Sequence, residues 1–428
     1  MSGAAQPGVP DGGTGVLLDH LFRREAGRMV AYLARVLGPA HLDLAEESVQ
    51  EAMVRALLAW PQQGVPENPT AWLFRVARNA AIDAMRHGRH TDPNSETLLA
   101  GLAQPPATPG DPRFEERIRD DELRMIFMCC HPALSRESSV ALSLKTVGGL
   151  SVGEIARAFL AEEATVAQRL VRAKRQIREQ HLSLDPPHGA ELTARLDSAL
   201  ETIYFIFNEG YAAFEGEDLI RQDLCAEALR LGSLLASSPQ AEPRAHALVA
   251  LMSFQAARLP ARVDEAGDLI LLEDQDRSRW DQRLIALGFR SFENSMRGEA
   301  ASEYHVQAAI AATHMRWSDL RSVDWPVILQ LYDQLLAMTG SPVVALNRAV
   351  ALAKVEGPAA GLAAIEPLEG HPKLRDYYLA LAVRGHLLME VGRARAAAEC
   401  FRAALECRCS EPERRFLHRK LEACAALL

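Results

Sequence analysis

The chain has 428 residues, 48% hydrophobic and 24% charged, the composition of a globular protein too long for one ordinary core. Its net charge of −9 argues against a wholesale nucleic-acid binder, and seven thinly spread cysteines argue for reduced thiols in a cytoplasm rather than a disulfide framework. No stretch approaches the roughly 20 apolar residues that cross a bilayer, and MSGAAQPGVPDGGTGV lacks a basic start and apolar block, so it reads as a disordered tail over residues 1–15, not a secretory signal.

Helical periodicity dominates from there on and strand-like alternation is nearly absent, which predicts an all-α fold. Val16 to Val36 reads as one amphipathic helix ended by Gly38-Pro39, and Leu44 to Trp60 as a second stopped by Pro61. Asn68-Pro69-Thr70 opens a third, from Ala71 to about His87. Residues 88–113 hold Pro93, Pro105, Pro106, Pro109 and Pro112 and are expected to form a linker, not a core segment. A compact helical unit follows from about Glu115 to Gln180, and LDPPHG (184–189) breaks the chain before a long helical tail. The expected domains are therefore residues 16–90, a linker at 91–114, a second unit at 115–182 and a tail at 190–428.

Charge is unevenly placed. Residues 1–90 carry 9 basic and 9 acidic side chains, whereas residues 182–428 hold about −8. Between 164 and 178 stand Arg169, Arg172, Lys174, Arg175 and Arg178 with no acid among them. That segment belongs to LSVGEIARAFLAEEATVAQRLVRAKRQIRE (150–179). Ser151 can cap a short helix, Val152 to Phe159, with Ile155 and Phe159 inward. Leu160 to Glu163 allows a tight turn, and Ala164 to Ile177 makes a second helix with Val166, Leu170 and Ile177 on its apolar stripe. Thr165, Gln168, Arg169, Arg172 and Arg175 occupy its other face. Two short helices, the second basic and exposed, describe a helix-turn-helix: Arg bonds guanine bidentately, Gln bonds adenine, and the remaining cations meet phosphates.

EIARAFLAEEATVAQRLVRAKRQI resembles region 4 of the sigma-70 family, specifically the extracytoplasmic-function (ECF) sigma factors. AEESVQEAMVRALLAW (45–60) resembles region 2.2, which docks on the RNA polymerase clamp, and PTAWLFRVARNAAIDAMR (69–86) resembles regions 2.3 and 2.4, which melt and read the −10 promoter element. The resemblance covers roughly residues 16–180. It implies core RNA polymerase and promoter DNA as partners, and no membrane, metal, cofactor or catalytic activity. Glu46, Glu47, Gln50 and Glu51 would face the polymerase; the family usually has Asp at Glu47 and an apolar residue at Ser48. Trp72 and Phe74 offer stacking surface, Arg75 and Arg78 phosphate contacts, and Asn79 and Asp83 a pocket for a flipped base. A core role for Trp72 stands equally open. Thr165, Gln168, Arg169, Arg172 and Arg175 would read the −35 element.

The acidic tail resembles the TPR-like extension of one subgroup, and implies a regulatory domain with an intramolecular or protein partner. Most members of the family end after region 4, which puts inhibition by a separate anti-sigma protein in doubt here. In ALAKVEGPAAGLAAIEPL (351–368) and HLLMEVGRARAAAECFRAAL (386–405) a helix runs into a glycine, Gly357 and Gly392, 35 residues apart, near the TPR period; alanine-rich hairpins of no particular family fit as well. YFIFNEGY (204–211) reads either as a loop that docks onto the sigma-like domains or senses a ligand, or as a helix end with Gly210 left-handed. Cys129-Cys130-His131 reads as buried thiols at a helix end rather than a zinc site, because adjacent cysteines chelate poorly. Cys400, Cys407, Cys409 and Cys424 near His418 read in the same way. Two other functions compete: a stand-alone helix-turn-helix regulator with a TPR effector module, which would not need the match at 45–86, and a metal-dependent helical enzyme, for which no H-E-x-x-H, phosphate loop or nucleophile elbow appears.

Overall fold

A computed structural model describes residues 25–87, 95–103, 112–159, 161–211, 220–238, 241–298, 300–316, 323–375 and 377–427. The described residues are helical, with one isolated antiparallel bridge between Val263 and Leu269 and no β-strand. No helix among them is long and apolar enough to cross a membrane. The chain forms two compact units, Met1–Thr202 and Ile203–Leu428.

Unit 1 begins with α1 (residues 25–37), and the expected start at Val16 lies outside the described residues. Next come α2 (Leu42–Gln63) and α3 (Pro69–Arg86). Pro61 does not stop α2 as expected; it sits within the last turn. A proline there only frees the carbonyl of Leu57, whose side chain is exposed, and the helix ends at Gly64 with its N–H bonded to the Trp60 carbonyl at 2.9 Å. Asn68 caps α3, accepting from the Ala71 N–H at 2.9 Å.

The proline-rich segment departs from expectation. Ser95–Ala103 is a helix, α4, with Leu102 fully buried. Leu98, Leu99 and Leu102 recur at helical spacing between the prolines, enough for one short amphipathic element. The next helix, α5 (Pro112–Cys129), starts with proline in its first turn, and Phe114 packs edge-on against Phe74 at 5.2 Å.

Then follow α6 (Arg136–Thr146), α7 (Val152–Ala158) and α8 (Glu163–Glu179). Ser151 and Glu154 cap α7 reciprocally: the Glu154 N–H donates to Ser151 Oγ at 3.1 Å and the Ser151 N–H to Glu154 Oε2 at 2.7 Å. Cys129 and Cys130 are fully buried, with Sγ atoms 3.2 Å from Thr146 Oγ1 and 3.4 Å from Ser143 Oγ. Burial raises both thiol pKa values, Cys130 to about 11, as inert packing thiols require.

The unit boundary falls inside α9 (Ala190–Tyr211), not at residue 190. YFIFNEGY is neither loop nor helix cap. It is the last two turns of α9, and Gly210 does not adopt a positive φ. Its lack of a Cβ serves packing instead, since a Cβ there would sit 2.8 Å from both the Cys225 nitrogen and Leu224 Cβ.

Unit 2 continues with α10 (Gln222–Ala236), α11 (Pro243–Ala257), α12 (Gln282–Ser295), α13 (Glu303–Met315), α14 (Trp325–Thr339), α15 (Pro342–Glu356), α16 (Pro358–Ile365), α17 (Tyr378–Glu390), α18 (Ala394–Leu405) and α19 (Glu411–Ala425). Gly357 and Gly392, with φ of 98° and 77°, separate α15 from α16 and α17 from α18. The helix–glycine–helix repeat read from the sequence is thus present as two successive hairpins. Cys400, Cys409 and Cys424 lie in the core formed by α17, α18 and α19, packed with Phe401 and Leu417.

Candidate nucleic-acid interface

The second helix of the helix-turn-helix, α8, is anchored by Val166, Leu170, Ala173 and Ile177, all buried. Its 3.6-residue period puts Thr165, Gln168, Arg172 and Arg175 on the opposite, exposed face, with Arg169 half-buried at its margin. Arg175 pairs loosely with Glu179 at 3.5 Å, both about two-thirds exposed, a link worth little that a phosphate can displace. The expected recognition residues therefore share one accessible face.

Two further cations of this helix do something the sequence did not reveal. Lys174 Nζ donates to Asp43 Oδ1 at 2.7 Å and Glu46 Oε2 at 2.9 Å, and Arg178 Nη1 donates to Asp43 Oδ2 at 2.9 Å. The partners lie on α2, more than 120 residues away. Burial works against the Lys174 charge, yet Glu46 and Asp43 hold its pKa above the ordinary value. For Asp43, likewise, burial is outweighed by Lys174 and Arg178, which keep the carboxyl below the usual range. On the other side of unit 1, Arg28 bonds Glu115 at 2.5 Å and Arg35 bonds Asp121 at 3.0 Å, tying α1 to α5.

This moves Glu46 out of the face assigned to it. Its side chain is only 12% exposed and turned toward Lys174. Glu47, Gln50 and Glu51 remain exposed as expected. Beside them Val54, Leu57 and Leu58 are 54%, 51% and 68% exposed. Positions 47, 50, 51, 54 and 58 follow helical spacing, so α2 presents a stripe that begins acidic and becomes apolar. The apolar half of the stripe is marked in the sequence only by Leu57-Leu58 ahead of Pro61.

On α3, Arg75, Asn79 and Asp83 are exposed at four-residue spacing and share a face with Trp72. Trp72 is half-buried, edge-on to Trp60 at 5.5 Å, which leaves part of the ring accessible. Arg78 lies off this stripe, half-buried toward Tyr32, with Nε lacking a partner. Phe74 offers no stacking surface: it is 1% exposed, held between Tyr32 and Phe114. Three residues after Ala71 on a helix whose Leu73, Ala77 and Ala80 face inward, it falls on the core side.

Three segments of the chain match known protein families. Residues 21–91 match the family described as Sigma-70 region 2, residues 124–177 match Sigma-70, region 4, and residues 195–296 match a family of unknown function, DUF6596. An uncharacterized protein of Rhizobium meliloti is 41% identical over 387 residues, covering 90% of this chain and 91% of that protein. The ECF RNA polymerase sigma factor SigL of Mycobacterium tuberculosis is 30% identical over 168 residues, 38% of this chain and 87% of SigL. SigG of the same organism is 28% identical over 209 residues, 42% of this chain, which spans only about half of SigG (54%). No solved structure matches the chain. With a region 2, a region 4 and a relative such as SigL matched over most of its length, the chain belongs to the ECF group of sigma-70 RNA polymerase sigma factors, and its C-terminal part includes a domain of unknown function.

Proposed function

We propose that this protein binds core RNA polymerase through α2 and directs it to promoters in the cytoplasm. In this reading Trp72, Arg75, Asn79 and Asp83 on α3, with Arg78 at their flank, meet the −10 element. Thr165, Gln168, Arg169, Arg172 and Arg175 on α8 meet the −35 element, and the C-terminal unit, a TPR-like array of helix hairpins, regulates the outcome. The observation that carries the proposal is the stripe Glu47, Gln50, Glu51, Val54, Leu58. Exposed leucines beside acids on an otherwise well-packed helix fit a protein partner with a basic rim and an apolar centre. A regulator that binds operators alone has no use for such a surface.

The test is complex formation between full-length protein and core RNA polymerase without DNA, followed by size-exclusion chromatography. The wild type should co-elute, and Glu47→Lys with Glu51→Lys should weaken the complex while leaving the thermal melt intact. Tight binding to promoter DNA alone, with no affinity for core polymerase, would instead favour the stand-alone regulator.

A further inference from the structure

Unit 2 has an open cavity of about 530 Å³ walled by α11, α13, α14 and α15 and by Tyr204 of α9. That volume is within the roughly 300–1,000 Å³ range of small-molecule sites. Leu251, Phe254, Ile310 and Leu335 give it an apolar body. Three of its lining residues each carry a buried polar atom that has no hydrogen-bond partner among the described residues: Gln255 Oε1, Arg258 Nε and His314 Nδ1. Native proteins leave few such groups unsatisfied, so three on one cavity wall point to an occupant that completes them.

Their chemistry defines that occupant. Arg258 is held from behind by Tyr211, whose hydroxyl accepts from Nη2 and whose ring lies 5.9 Å from the guanidinium. Among the described residues no carboxylate pairs with Arg258, which leaves a half-buried cation facing the cavity uncompensated. His314 is 9% exposed and stacks edge-on against Trp325 at 5.6 Å. Burial, reinforced by Arg258 and Arg277, lowers its pKa to about 4, so at neutral pH it offers an uncharged ring nitrogen. The one acid on the lining, Glu303, acts on Tyr204, whose hydroxyl donates to Gln307 Oε1 at 2.8 Å.

We infer that this cavity binds a small organic carboxylate with an apolar body, its carboxylate on Arg258 and His314 and a neighbouring N–H or O–H donated to Gln255. Arg258 offers a fixed planar donor, the geometry that selects carboxylates. The apolar body rests on Phe254, Ile310 and Leu335. The inference concerns unit 2 alone and does not depend on the polymerase reading.

Isothermal titration of the full-length protein with N-acetylphenylalanine, indole-3-acetate and octanoate, each beside its primary amide, tests it. At least one acid should bind at one per chain, at least tenfold more tightly than its amide. Arg258→Gln should weaken that acid at least tenfold. Ala311→Phe fills the cavity without touching a charge and should abolish binding, with an unchanged circular-dichroism melt showing that it folds. Binding of acid and amide alike, binding retained in A311F, or no heat from any of the three acids would overturn the inference.

Discussion

Lys174 is the residue whose removal should most alter unit 1. Among the described residues its ammonium alone bonds Glu46, whose side chain is 12% exposed and whose Oε1 is buried there without a partner. Lys174→Met keeps the apolar stem and deletes the charge, leaving that carboxylate buried and unpaired at a cost of about 2–4 kcal/mol. Asp43 is 46% exposed and keeps Arg178, so its share should be below about 1 kcal/mol. A total near 3 kcal/mol shifts the equilibrium between docked and released α8 by roughly a hundredfold. That shift matters because the −10 and −35 elements lie about 25 base pairs, or some 85 Å, apart at 3.4 Å per pair. A compact unit spanning Met1–Thr202 is only about 45 Å across. With α3 on the −10 element and α8 on the −35 element, as proposed, the two elements cannot be occupied together while Lys174 holds α8 on α2, so release should raise promoter engagement. Urea denaturation of K174M, E46Q and the double variant gives the coupling energy, and transcription from a cognate promoter at limiting protein gives the consequence. Coupling below about 0.5 kcal/mol, or unchanged transcription in both single variants, would refute the reasoning.

Arg169→Ala with Arg172→Ala should weaken binding to −35 DNA, by about 1–3 kcal/mol for whichever contacts a base, as read by gel shift; association with core polymerase should survive. His314 titrates at about 4 in the fold and near 6.5 when unfolded. Its contribution, about 3 kcal/mol, is therefore full above pH 6.5 and lost as pH falls from 6.5 to 4, and His314→Phe should flatten the stability profile in that window. Ending the chain after Thr202 removes unit 2 and should change promoter output relative to the full chain; equal output in run-off assays would exclude regulation by that unit.

Much of the site was legible because local rules sufficed. Asn68-Pro69 announced α3, Ser151-x-x-Glu154 announced α7, and a run of cations opposite Val166, Leu170 and Ile177 fixed the exposed face of α8. What escaped depended on distant partners. Glu46 looks like Glu47 in sequence, and only Lys174, 128 residues away, makes it an internal contact. Phe74 looks like a stacking ring until Tyr32 and Phe114 close over it. Gly210 resembled a helix cap because its closest neighbours, Leu224 and Cys225, belong to another helix. The cavity of unit 2 draws on α9, α11, α13, α14 and α15, with no short motif to mark it.

The most direct test of the central claim is run-off transcription with core RNA polymerase on genomic fragments, with and without the full-length protein. Discrete transcripts should appear only when the protein is present and should be lost in the Glu47→Lys, Glu51→Lys variant. A protein that yields no new transcript on any fragment, or whose transcripts are indifferent to those two substitutions, would contradict it.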